Sequence, residues 1–245
     1  MRKFGLIGHP LSHSFSKKYF TEKFEKEGIE GCTYGLYDIP NAQELEDILE
    51  ENPEIEGINV TIPHKEDVIA LMDDLEETCE EIGAVNCIHI KDGVRTGYNT
   101  DYIGFKNSLI PWLGAVKTKA LVLGTGGASK AIKQALYDLE IEFLNVSRSE
   151  DEDQITYEDL AADPEIMNTH KLIINTTPLG MYPNVEGIPA IPVEQFTPGH
   201  FVYDLVYNPS ETTLMKACLD AGGKAKNGHE MLILQAEASW DIWNS

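Results

Sequence analysis

"KALVLGTGGASKAIKQAL", residues 119–136, is an apolar strand that runs into a glycine turn and then into a helical stretch. That context is what makes a Gly-x-Gly motif a dinucleotide signal, because any turn from strand to helix can be glycine-rich. Gly124 permits a tight turn, and Gly126 and Gly127 let the backbone approach a pyrophosphate, with the free N–H groups of the next helix facing the anion. A dinucleotide site is expected here.

The next strand, FLNV, ends in Ser147, Arg148 and Ser149, where a site for NAD would place an acidic residue to hold the ribose 2′-hydroxyl. A guanidinium flanked by two hydroxyls suits a 2′-phosphate instead, so NADP is expected. Glu150 to Asp153 follow at once and oppose a phosphate; the bland alternative is a surface arginine paired with these acidic neighbours.

Outward from this stretch, strand and helix signals alternate along almost the whole chain. Downstream come the helix Ser129 to Leu139 and the strands KLIINTT and HFVYDLV; upstream come KFGLIG, an amphipathic helix SFSKKYFTEKFEKEG closed by Gly28, YGLYDI, a helix around Ala42 to Glu51, and GINVTI. VNCIHIKDGVRTGYN reads as two short strands joined at Asp92-Gly93, and FKNSLIPWLG as a helix leading into a second round of the pattern. The expected fold class is α/β, with two αβ domains and a boundary near residue 102. The second is a Rossmann-like, doubly wound parallel sheet, and the active-site cleft is expected between the two.

The 245 residues carry 41 acidic and 19 basic side chains, a net charge of -22, which argues against nucleic acid or an anionic membrane as partner. There is no run of about 18 apolar residues, and MRKFGLIGHP lacks a signal-peptide core, so a cytoplasmic protein is expected. Cys32, Cys79, Cys87 and Cys218 are scattered, which suits reduced thiols in packing roles. Pro10 between His9 and His13 breaks helical spacing and argues against a metal there.

"NVTIPHKEDV", residues 59–68, raises a separate question. The strand ending at Ile62 is followed by Pro63, which suits a first helical turn, so Lys65 is expected at a helix N-terminus. Backbone dipoles disfavour an ammonium group there. On the residues alone the bland reading is an exposed lysine at a helix start, and the reason for a cation there stays open.

GHPLSHSFS (8–16), NVTIPHK (59–65), GAVN (83–86), YNTD (98–101), GTGGAS (124–129), INTTPLGM (174–181), YDLVYNP (203–209) and the terminal MLILQAEASWDIW together resemble the shikimate dehydrogenase family, end to end and in order. The resemblance implies a substrate-binding domain of residues 1–102 plus 230–245 and an NADP-binding domain of residues 103–229. It implies that Ser14 and Ser16, assisted by Tyr207, hold the substrate carboxylate, and that Thr61, Asn86, Asp101 and Gln235, joined by Asn59, contact ring hydroxyls. Lys65 and Asp101 match the catalytic pair. Gly124, Thr125, Gly126, Gly127 and Ala128 match the pyrophosphate site, Ser147, Arg148 and Ser149 the 2′-phosphate site, and Leu205 and Gly228 the nicotinamide surroundings. The implied activity is reversible, NADPH-dependent reduction of 3-dehydroshikimate to shikimate by a monomer or homodimer, without a metal. The alternatives are a quinate-oxidising or NAD-using paralogue and a non-catalytic nucleotide-binding regulator.

Three departures stand out. The acidic run puts Glu152 where the family often has a second basic residue; the chain between Arg148 and Lys171 is short by about one helix, which suggests a trimmed sheet edge; and Gly228-His229-Glu230 replaces Gly-Leu-Gly.

Overall fold

A computed structural model of the chain describes every residue except Ser12, His13 and Glu152. The readings made above for His13 and Glu152 therefore fall outside the described residues. The chain divides into two compact units, Met1–Thr100 with Ala236–Ser245, and Asp101–Gln235.

The first unit contains β1 (Arg2–Gly8), α1 (Phe15–Glu27), β2 (Cys32–Asp38), α2 (Glu44–Glu51), β3 (Ile55–Val60), β4 (Asp74–Leu75), α3 (Glu77–Ile82), β5 (Cys87–Lys91) and β6 (Val94–Tyr98). Ser14 caps α1 by accepting the Lys17 N–H, and Gly28, at φ 64°, closes it in the left-handed conformation. The sheet order is β2-β1-β3-β5-β6-β4. β1 runs parallel to β2 and β3, whereas β5 is antiparallel to both β3 and β6. Asp92 and Gly93 make the β5–β6 turn with φ of 53° and 81°, which matches the twist of a two-residue hairpin.

Period-two alternation sends Phe4 and Leu6 to one face of this sheet and Ile7, Ile58 and Val60 to the other. The end of the chain covers the Phe4 face. There the Trp243 ring stacks on Phe4 at 4.9 Å between centroids, and its Nε1 donates to the Ile88 carbonyl at 3.0 Å. A Cβ on Gly57 would lie 2.3 Å from that indole nitrogen, so β3 must be bare at this point.

The helix expected from Pro63 does not form. Residues 62–66 make a turn containing a cis Ile62–Pro63 peptide, and only a five-residue 3-10 helix, Asp67–Leu71, follows. The Lys65 carbonyl accepts the Val85 N–H at 2.7 Å, while the Ile69 N–H bonds the Glu66 carbonyl at 3.2 Å. A long-range hydrogen bond has taken the acceptor that a continuing α-helix would use. Lys65 is thus not at an α-helix N-terminus, and the dipole argument for its placement does not apply.

α4 (Thr100–Leu113) begins on the last residue of the first unit's main segment and continues in the second unit, followed by β7 (Ala120–Leu123), α5 (Gly127–Asp138), β8 (Phe143–Ser147), β9 (Gln154–Thr156), α6 (Tyr157–Ala162), α7 (Pro164–Thr169), β10 (Leu172–Asn175), β11 (Phe201–Asp204), α8 (Thr213–Asp220) and β12 (Lys224–Asn227). α9 (His229–Trp243) begins in this unit and contributes its last residues to the first. The sheet is parallel throughout, in the order β12-β11-β10-β7-β8-β9. Strand order reverses between β7 and β10, the switch point where such sheets bind ligands at their carboxyl ends. Both faces are covered, as a doubly wound sheet requires: Ala120, Val122 and Ile174 pack with Phe105, Leu109 and Ile132, while Leu121, Leu123 and Ile173 pack with Leu160, Met167 and Leu214. The shortened segment after Arg148 holds a three-residue edge strand, β9, and two six-residue helices.

Candidate active site

The nucleotide turn follows from β7 and α5. Gly124 has φ 108°, and a Cβ there would lie 2.8 Å from Thr176 Oγ1, so both conformation and space demand glycine. Thr125 is exposed, and Gly126 is the N-cap of α5 without any side-chain cap. A Cβ on Gly126 would meet nothing within 4 Å. The N–H groups at Gly127 and Ala128 therefore open the helix uncovered by a side chain, which fits an approaching pyrophosphate.

At the end of β8, Ser147 is buried while Arg148 and Ser149 are exposed. Gln154 Nε2 bonds the Ser149 carbonyl at 2.7 Å and holds this corner to β9. The neighbouring Tyr157 phenol is raised by burial and pulled down by the Arg148 charge. An exposed guanidinium between two hydroxyl residues fits a 2′-phosphate.

Leu205 and Gly228 meet through backbone. A Cβ on Gly228 would lie 2.1 Å from the Leu205 carbonyl oxygen, so no other residue fits there unless the chain shifts. Gly228 also accepts the Leu232 N–H at 2.9 Å, which starts α9, and both His229 and Glu230 point to exposed positions with Glu230 paired to Lys226. Beneath Leu205 lies a buried cluster that the sequence reading did not assign. Asp204, fully buried, accepts from Thr212 Oγ1 at 2.6 Å, Asn175 Nδ2 at 2.9 Å and the Val206 N–H at 3.0 Å. Desolvation raises its carboxyl above the usual range, and these three donors oppose that shift. Asn175 in turn accepts the Thr177 N–H at 3.0 Å and the Leu205 N–H at its carbonyl, so one carboxylate organises both strand ends. A charged residue inside the apolar strand FVYDLV was the available signal.

In the first unit, Lys65 is half-buried on a turn held from several sides. Beside the Val85 bond, the preceding His64, fully buried, bonds the Ile39 carbonyl at 2.7 Å, and Thr61 is tied by its N–H to the Ile7 carbonyl at 2.9 Å. Thr61 Cγ2 also needs Gly8, whose Cβ would lie 2.4 Å from it.

The structure brings Ser16, Asn59 and Asn86 into one polar chain through three residues that sequence reasoning left without a role. Ser16 lies beside the buried Tyr34, whose hydroxyl donates to Asn59 Oδ1 at 2.8 Å. Asn59 Nδ2 donates to Ser239 Oγ at 2.9 Å, and Ser239 bonds Thr100 Oγ1 at 3.1 Å. Thr100 then reaches Asn86 Oδ1 twice, from its N–H at 2.6 Å and its hydroxyl at 3.1 Å. Asn59, 4% exposed, uses its amide inside the protein, with Oδ1 on Tyr34 and Nδ2 on Ser239 Oγ and, at 3.3 Å, on the Asn86 carbonyl.

The other expected site residues lie in the second unit. Asp101 is buried in the first turn of α4, Gln235 is buried on α9 with Nε2 on the Leu232 carbonyl at 2.8 Å, and the half-buried Tyr207 has its phenol raised by burial. Among the described residues, no helix is long and apolar enough to cross a membrane.

Residues 6–88 match the model of the shikimate dehydrogenase substrate binding domain. A shikimate dehydrogenase (NADP(+)) of Caldanaerobacter subterraneus is 38% identical over 258 residues, covering 98% of this chain and 90% of the relative. Another, from Methanosphaera stadtmanae, is 35% identical over 256 residues with the same coverage. The crystal structure of shikimate dehydrogenase 1 from Peptoclostridium difficile superposes with a TM-score of 0.86 at 35% identity, covering 100% of this chain and 92% of its own. With identity at this level over nearly its whole length, the chain belongs to the shikimate dehydrogenase family.

Proposed function

We propose that this chain catalyses the reversible, NADPH-dependent reduction of 3-dehydroshikimate to shikimate. The observation that carries the reading is Lys65, a half-buried amine on a turn pinned by Val85 and His64, in the unit that also presents Ser14, Ser16, Thr61 and Asn86. In this reading the first unit binds substrate and the second binds NADP. The cofactor, when bound, supplies or takes the hydride. Gly124 to Ala128 hold its pyrophosphate, Ser147 to Ser149 its 2′-phosphate, and Leu205 and Gly228 border its nicotinamide.

Oxidising a secondary alcohol requires removal of its proton as hydride leaves carbon, and the Lys65 amine, oriented by Asp101, takes that proton. In the biosynthetic direction the Lys65 ammonium protonates the developing alkoxide. Ser14, Ser16 and Tyr207 hold the carboxylate, while Thr61, Asn86 and Gln235 hold ring hydroxyls. The protein works in the cytoplasm on a small molecule, as a monomer or homodimer.

The test is the initial rate of nicotinamide reduction with shikimate or quinate against NADP or NAD. Fast reduction with shikimate and NADP alone is expected. Preference for quinate or NAD, or no reduction in any pairing, overturns the assignment. Arg148→Ala is expected to raise the Kd for NADP roughly 10- to 100-fold, the effect of losing a charge-assisted bond, and to change the Kd for NAD little. Equal loss for both cofactors, measured by fluorescence titration, would remove Arg148 from the 2′-phosphate site.

A further inference from the structure

We propose that Thr100, backed by Ser239, is a positioning residue that locks the Asn86 amide with its N–H groups toward the ligand, so that the ring substituent meeting Asn86 must offer an acceptor oxygen. The inference rests on the substrate reading above and extends it to a residue, and a selectivity, that this reading does not contain.

The direction of every bond in the chain follows from one end. A backbone N–H only donates, so the 2.6 Å contact from the Thr100 N–H identifies its partner on Asn86 as the oxygen. The Thr100 hydroxyl, 3.1 Å from the same oxygen, must also donate its proton there. It therefore accepts from Ser239, whose Oγ lies 3.1 Å away. Ser239 has then used its own proton, which is why it accepts from Asn59 Nδ2 at 2.9 Å. Asn59 Oδ1 is left to accept from Tyr34 at 2.8 Å. Asn86, Thr100 and Ser239 are all buried, so their polar groups depend on partners within the protein and not on water.

With two donors on Oδ1, reversing the Asn86 amide would set its N–H groups against the Thr100 N–H. Asn86 accordingly offers Nδ2–H to a ligand. A hydroxyl or carbonyl oxygen can accept that bond. An ammonium group, which only donates, cannot.

The measurement compares wild type with Thr100→Val, which keeps shape and the backbone N–H but removes the hydroxyl, and with Thr100→Ser, which restores it. For Thr100→Val we expect KM for shikimate to rise roughly 3- to 10-fold, as for one lost hydrogen bond, with kcat and the Kd for NADP within about 2-fold of wild type. Thr100→Ser should return KM to the wild-type value. An unchanged KM, a fall in kcat and NADP affinity together, or equal damage in the serine variant overturns the proposal. Shikimate analogues with an ammonium group replacing the C4 or the C5 hydroxyl extend the test. At one of the two positions the analogue should inhibit wild type at least about 10-fold more weakly than its hydroxyl parent binds; undiminished inhibition at both overturns the selectivity. Should wild type prove inactive on shikimate, the substrate reading fails, and the lock is still read from side-chain amide NMR of the free protein. The Asn86 signals, identified by their loss in Asn86→Asp, should shift in Thr100→Val and stay in place in Thr100→Ser. Unshifted signals in the valine variant sink the lock itself.

Discussion

Lys65→Ala lowers the single-turnover rate of hydride transfer by about 10² or more, the usual loss on removing a general acid or base. Cofactor affinity, which depends on the second unit in our reading, changes little. The expectation comes from chemistry and from local support. The turn that carries Lys65 has its carbonyl on the Val85 N–H and its His64 ring on the Ile39 carbonyl, so alanine at 65 should remove the amine without releasing the turn. Stopped-flow measurement of nicotinamide absorbance at saturating substrate separates this loss from weak binding. Activity within a few-fold of wild type would remove Lys65 from the proton transfer.

Trp243→Ala is the second large effect, and it concerns stability. Trp243 is 2% exposed, stacks on Phe4, packs on Phe20 with ring centroids 5.4 Å apart at an interplanar angle of 40°, and donates to the Ile88 carbonyl. Truncating a buried tryptophan to alanine costs about 3–5 kcal/mol, and here it also removes the indole hydrogen bond to the Ile88 carbonyl. The space left over Gly57 cannot close, since that strand position has no side chain to fill it. For a domain of this size the loss corresponds to a fall in Tm of about 10 °C or more. Calorimetry checks it, with Trp243→Phe as a milder control that keeps the aromatic contact and loses the hydrogen bond. A shift below about 2 °C would mean that the end of α9 is not part of the core of the first unit. The same variant bears on the substrate residues, because Ser239 lies about one turn back on this helix and Glu237, which Lys23 binds at 2.8 Å, nearly two turns back.

The alternation of strands and helices was legible because apolar periods of two and 3.6 are written locally. KALVL, FLNV and KLIIN are nearly continuous apolar runs, which is how strands covered on both faces read. The glycine turn and the Ser-Arg-Ser corner were legible for a similar reason: each depends on a few consecutive residues. One local reading did not carry through: Pro63 pointed to an α-helix, but Val85 took the Lys65 carbonyl. The helix α3 went unread, because its six residues are too few to show a period; it is held by a Glu76 cap at one end and Gly83, at φ 65°, at the other.

By itself, then, the sequence determined the α/β class, the two rounds of the pattern and the glycine turn between β7 and α5, because propensity, periodicity and turn chemistry act over neighbouring residues. Only the tertiary structure decided how those groups are held. Asn59 meets Ser239 across 180 residues, Tyr34 meets Asn59 across 25, and Asp204 finds Asn175 at the end of β10 and Thr212 at the cap of α8. Such bonds leave no periodic trace, since a buried donor needs an acceptor nearby in space and is indifferent to where in the chain that acceptor lies.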